Sequence, residues 1–97
     1  MSITVILELK SAAGGVERLL SYLEEVLPDT RKYAGYEDLR VTRVVNDDAL
    51  VICIEKWQSA AAYRRYLGWR METGVMARLA SMLEGTARPV LLSEISD

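Results

Sequence analysis

The sequence predicts an α+β fold in which a four-stranded antiparallel sheet carries helices on one face. Three observations predict it. Four stretches have the β-branched or alternating composition of strands. One long stretch and a later, divided one repeat their apolar residues at helical spacing. The order of these stretches is β-α-β-β-α-α-β.

The first strand is ITVILELK, Ile3 to Lys10. Ile3, Val5, Leu7 and Leu9 make one wholly apolar face, while Thr4, Ile6 and Glu8 make the other. SAAGG breaks the strand, its two glycines permitting a turn. Val16, Leu19, Leu20, Leu23, Val26 and Leu27 then follow the i, i+3, i+4, i+7 pattern of an amphipathic helix. Pro28 is expected to kink that helix or to start a short continuation to Arg31, and Gly35 ends the connection. Tyr36 to Val45 alternates as a strand, with Leu39, Val41 and Arg43 on one face and Asp38, Arg40, Thr42 and Val44 on the other. Asn46-Asp47-Asp48 reads as the turn of a hairpin. Its second arm runs from Ala49 to Trp57, with Leu50, Ile52 and Ile54 opposite Val51, Cys53, Glu55 and Trp57. Both of its faces are largely apolar, which predicts burial on both sides. Ser59 is a suitable N-cap for a helix to about Leu67, where Gly68 is expected to interrupt. A further helix covers Met71 to Leu83, with Val75, Leu79, Met82 and Leu83 inward. The last strand is expected from Arg88 to Ser96, with Pro89 near its start, where a missing donor is tolerated.

This order is the ferredoxin-like split βαβ plan. The chain's own helices cover one face of such a sheet. The other is expected to carry Ile6, Val44, Val51 or their neighbours, and no further element remains to cover it. A second copy of the sheet is the simplest cover, so the sequence predicts a face-to-face homodimer.

Composition limits the function classes. The 97 residues suffice for one domain spanning 1–97. With 12 basic and 14 acidic side chains, the net charge of −2 offers no basic surface for nucleic acid or an anionic membrane. No apolar run approaches the ~18 residues of a membrane span. The first residues lack the basic start and small-residue cleavage site of a signal peptide. The lone Cys53 has no partner for an internal disulfide, which fits a reducing cytoplasm. The chain has no histidine, so no His-dependent triad, His metal ligand or imidazole proton shuttle exists. Its carboxylates are scattered, not clustered at metal-ligand spacing, and it has neither a GxGxxG nor a Walker-type loop.

What remains is IEKWQSAAAYRRYLGWR, Ile54 to Arg70, which holds both tryptophans and two of the five tyrosines. Tyr63, Tyr66, Leu67 and Arg70 share one helical face, close in sequence to the strand-ending Trp57. An indole, two phenols and a guanidinium converging here would bind a planar, oxygen-bearing ring by stacking, hydrogen bonding and charge. The same stripe is equally read as core packing, with Arg64, Arg65 and Arg70 capping or lying along the surface. Cys53, amid isoleucines, reads foremost as a core thiol, and Trp69 as packing outside the pocket.

Over nearly its whole length the chain resembles the antibiotic biosynthesis monooxygenase family, of the cofactor-independent quinol monooxygenase type. The resemblance rests on an ordered set: a TVILELK-like first strand before a Gly turn, PDTRKYAGYEDLRV, the strand-ending IEKWQS, the aromatic helix YRRYLGWRMETG, and a closing strand introduced by proline. It implies a dimeric α/β barrel and the oxygenation of phenols or quinols by O2 as co-substrate, without metal, haem or flavin. It implies catalytic roles for Trp57 and Tyr63 and for an arginine, either Arg70 or Arg78. Tyr66, Cys53 and Arg78 join these as expected substrate contacts. Where many members have a histidine in the helix after the Trp, this chain has Arg65-Tyr66-Leu67, which excludes the iron ligand of the haem-degrading branch. A perturbed tyrosine, or Glu55 or Glu72 raised by burial, must then act as base, or the substrate ionises on its own. An isomerase or lyase of the same superfamily, and a non-catalytic dimeric binding or stress-associated module, are the alternatives.

Overall fold

The computed structural model describes residues 2–95. Four strands and three helices follow one another: β1 (Ile3–Lys10), α1 (Val16–Thr30), β2 (Tyr36–Val44), β3 (Asp47–Trp57), α2 (Ala60–Glu72), α3 (Val75–Ala80) and β4 (Val90–Leu92). The sheet order is β2-β3-β1-β4, antiparallel throughout, which is the expected ferredoxin-like arrangement. Among the described residues no helix is long and apolar enough to cross a membrane.

Alternation decides which side of each strand meets the helices. Val5, Leu7 and Leu9 of β1 and Val51, Cys53, Glu55 and Trp57 of β3 are all buried on the helix side, joined by Leu39 of β2. Leu19, Leu23 and Leu27 of α1 and Leu79 of α3 pack onto them. Each such leucine contributes about 1.5–3 kcal/mol by leaving water. Val51 is fully buried on this side and is not on the open face where the sequence placed it. The open face instead pairs Ile6 with Ile54 and Val90, and Thr42 with Ile52.

Four boundaries differ from expectation, each for a physical reason. Pro28 lies inside α1, which runs through it to Thr30 as one helix with Arg31 as its C-cap. Pro28 and the Glu24 carbonyl it leaves without a donor lie at exposed positions, where water replaces the lost bond. The hairpin turns at Val45-Asn46, and Asp47 begins β3, its Oδ1 accepting the Ala49 N–H at 3.2 Å. Gly68 lies inside α2, and the break falls at Gly74 (φ 83°). Glycine weakens a helix by only about 1 kcal/mol, less than the buried side chains of Tyr66 and Arg70 return on either side of it. The last strand is only three residues long. Leu92 pairs with Thr4, so residues from Glu94 onward lie past the start of β1, and at the other end Pro89 has no N–H to extend the pairing before Val90. The expected Ser96 end lies outside the described residues.

Gly35 fixes the entry to β2. It has φ 94°, and a Cβ there would sit 2.6 Å from the Ala62 Cβ of α2. Gly35→Ala is expected to cost on the order of 2–4 kcal/mol from backbone strain and overpacking together. Gly68→Ala, with open space around the added methyl, should instead gain about 0.5–1 kcal/mol. Denaturant midpoints of the two variants check both signs.

Candidate functional site

The aromatic stretch folds onto the helix side of the sheet. Trp57 ends β3 fully buried, with Tyr33, Tyr36 and Tyr63 edge-on to its ring and Tyr66 tilted against it at 4.7 Å between centroids. Ser59 caps α2 by accepting the Ala62 N–H at 3.1 Å, as its sequence position predicts. That cap sets the helix phase, so Tyr63, Tyr66 and Arg70 all turn inward while Arg64 and Arg65 stay exposed.

Between α1, α2, α3 and the sheet lies a small, partly enclosed cavity of about 40 Å³. Its walls are mostly aliphatic, from Leu23, Leu27, Leu39, Val75, Met76 and Leu79 among others. Four side chains bring chemistry to it: Cys53, Glu55, Tyr63 and Tyr66. Among the described residues no arginine or lysine lines it.

Glu55 is 5% exposed, and its Oε1 accepts the Trp57 indole N–H at 2.9 Å. Oε2 takes no hydrogen bond among the described residues. Among the described residues no fully buried side-chain oxygen lacks a partner, so Oε2 retains some accessible surface, and Glu55 is among the residues that line the cavity. The Tyr63 hydroxyl likewise takes no hydrogen bond among the described residues. Burial raises the Glu55 carboxyl above its ordinary value of 4.5, and the Trp57 hydrogen bond offsets part of that rise. Burial likewise raises Tyr63, with the Glu55 charge adding to it. The Cys53 thiol is pushed up to about 12 by burial and by the nearby Glu55 charge, so it stays protonated and unreactive at neutral pH.

Tyr66 belongs to a second set. Its hydroxyl is 2.7 Å from Thr30 Oγ1 and accepts from Arg70 Nε at 3.0 Å. Burial raises Tyr66, opposed by the Thr30 and Arg70 hydrogen bonds. Arg70 Nη2 also donates to Thr30 Oγ1 at 2.7 Å and to the Val26 carbonyl, so the guanidinium pins α2 to the end of α1. Its carbon lies 4.5 Å from the Trp69 ring centroid, a cation–π contact on the outer side.

Of the residues singled out by sequence, Tyr63, Tyr66 and Cys53 line the cavity. Trp57 stands behind it and holds Glu55. Arg70 and Arg78 lie outside, lining an open groove of about 490 Å³ between α1 and the α2–α3 corner, where Trp69 also lies. Val26 and Val75 line both spaces and so form the wall between them. Glu72 is exposed at the end of α2 and does not reach either space. Sequence reading passed over Thr30. Its partners are 36 and 40 residues away, and no local pattern announces such a pairing. Among the described residues no three His, Cys, Asp or Glu side chains converge as a metal-binding group.

The split βαβ sheet and its helices together enclose a carboxyl, a thiol and two phenols in a largely aliphatic cavity on the helix side. Residues 2–69 match the family model of the antibiotic biosynthesis monooxygenases, and the chain belongs to that family. Solved structures agree in fold. Rv0793 from Mycobacterium tuberculosis is 14% identical, with a TM-score of 0.87 over 100% of this chain and 98% of that one. SnoaB, a cofactor-independent oxygenase from Streptomyces nogalater, is 16% identical, with a TM-score of 0.84 over 99% and 95%. PA3566 from Pseudomonas aeruginosa is 22% identical, with a TM-score of 0.77 over 98% and 95%. No curated protein matches the sequence.

Proposed function

We propose that this protein is a cofactor-independent monooxygenase that oxidises a hydroxylated aromatic or quinol with O2, in the cavity enclosed by its helices and sheet. The observation that carries this reading is the cavity itself. It combines apolar walls suited to a ring with a carboxyl oxygen and a phenol that have no hydrogen-bond partner among the described residues. Family membership and the likeness to SnoaB support the reaction class. The substrate's own ionised ring supplies the electrons, so the protein's part is to bind, exclude water and move protons.

As it stands the cavity admits a water-sized guest, well short of the several hundred Å³ of a ring-binding pocket. In this reading α3 moves to open it. The helix has only six residues, starts at the left-handed Gly74 without a side-chain cap, and contacts the cavity through Val75, Met76 and Leu79. We further propose that the 97 residues act as one domain in the cytoplasm. A second copy covers the open sheet face, where Val90 and Leu92 are 53% and 45% exposed. Arg70 and Arg78, at the outer groove, meet the ligand on entry.

The same small, partly enclosed cavity favours a second reading, a dimeric binding module without turnover. Oxygen uptake separates the two. With a panel of quinols and naphthols the wild type should consume O2 and Tyr63→Phe should lose at least tenfold in kcat/KM. No uptake across the panel leaves the binding module, and turnover without O2 points to proton-transfer chemistry of the isomerase or lyase kind.

A further inference from the structure

We infer that Glu55 is the proton acceptor of this site and that the ligand it takes enters as a neutral hydroxylated aromatic. The inference rests on the oxygenation reading above. Its basis is the charge inventory of the cavity. Among the described residues Glu55 is the one carboxyl that lines it, and no cationic side chain does. The neighbours that titrate are Cys53 on the same strand and Tyr63 and Tyr66 from α2. β1 and β2 set Val5 and Leu39 beside Glu55, and α1 and α3 present aliphatic side chains and Met76. All of these are uncharged at neutral pH. A phenolate arriving from solvent would therefore meet a like charge in a low-dielectric enclosure. A neutral phenol meets a hydrogen-bond acceptor, Oε2, that lacks a partner.

Proton transfer then leaves the cavity's charge unchanged. The ligand's O–H bond breaks, an O–H bond forms on Glu55, and the negative charge passes to the ring. The phenolate gives one electron to O2, and the two radicals join at the para carbon, forming a C–O bond and a peroxide anion. Glu55 returns its proton to the peroxide. Cleavage of the O–O bond and loss of the hydrogen at that carbon release water and leave a quinone. One oxygen atom stays on the ring, the other leaves as water, and the ring yields four electrons to O2. Glu55 is thus a catalytic residue, whereas Trp57, which holds Oε1 at 2.9 Å, is a positioning residue.

The test uses 4-nitrophenol, whose nitro group blocks the para carbon and whose colour reports its ionisation. Equilibrium titrations are run below and above the probe's own ionisation. Wild type should bind the neutral probe at least tenfold more tightly than the anion. Glu55→Gln, which keeps the size of the side chain and an acceptor for Trp57, should lose that preference. A wild type that binds the anion as well as the neutral form, or a Gln variant that still rejects the anion, overturns the assignment. Absence of binding by either protein overturns the aromatic site, and the role of Glu55 with it. In turnover of 1-naphthol, the rising limb of kcat/KM against pH should vanish in Glu55→Gln. It should move to higher pH in Trp57→Phe, because the lost hydrogen bond favoured the carboxylate. A limb that persists in Glu55→Gln assigns the base elsewhere.

Discussion

Arg70→Ala should lower stability by about 3 kcal/mol, which for a domain of this size displaces the thermal midpoint by roughly 12–24 °C. The side chain is 3% exposed and joins three groups from two helices: Tyr66 Oη, Thr30 Oγ1 and the Val26 carbonyl. Hydrogen bonds from a charged donor are worth about 1.5–3 kcal/mol each. The sum is reduced because removing a buried cation also removes its desolvation cost. It is reduced again because Thr30 and Tyr66 keep their mutual bond. Arg70→Met tests this division. It fills the space without the charge, so it should lose less than half as much as Ala. Arg70→Lys keeps the charge but not the planar fork, and should behave more like Ala. Thermal melts of the three variants give the order Met, Lys, Ala from most to least stable. Lys more stable than Met would assign Arg70 a role in which charge outweighs packing.

The same residue shows where sequence reading stops. That Tyr63, Tyr66 and Arg70 share a face follows from 3.6 residues per turn and from the Ser59 cap, both local. That Arg70 faces Thr30, 40 residues earlier, depends on how α1 lies across α2, and no periodicity encodes it. The strands show a similar division. Alternation along β3 puts Cys53, Glu55 and Trp57 on one side, and this was legible. The side that the helices cover is decided by β1, whose Val5, Leu7 and Leu9 form the stronger apolar face. Val51 follows them inward through its pairing with Leu9, although its own strand is apolar on both sides. One end of β4 lies near the start of its partner and the other follows Pro89, which has no N–H to extend the ladder, whereas composition suggested a longer strand. Glu55 was legible only as one of two acids, with Glu72, that burial would raise. Its rank over Glu72 is a matter of position: one acid ends up sealed beneath α2 and α3, the other in water at a helix end.

Glu55→Gln should make the fold more stable at neutral pH while disabling the proposed chemistry. A carboxyl raised by burial holds its proton in the folded chain at pH values where the unfolded chain has released it. Its contribution to stability is therefore fully present below about 4.5, the ordinary value. It falls as pH climbs through the raised value and levels off above it. Gln cannot ionise, so it avoids that loss. Other carboxylates impose their own acid sensitivity on both proteins, and the informative quantity is the difference between the two. Measured as thermal midpoints from pH 4 to 8, the two curves should run close together at the acid end. They should separate in favour of Gln as pH rises, with about 4–8 °C of separation for each kcal/mol. Trp57→Phe removes the indole N–H that offsets part of the burial. Relative to its own Glu55→Gln double variant it should continue to separate to higher pH. Curves that stay parallel across the range would mean that Oε2 is compensated in the fold by a partner other than a ligand. A stability gain joined to a loss of turnover is the signature of a group kept for chemistry at a cost to the fold.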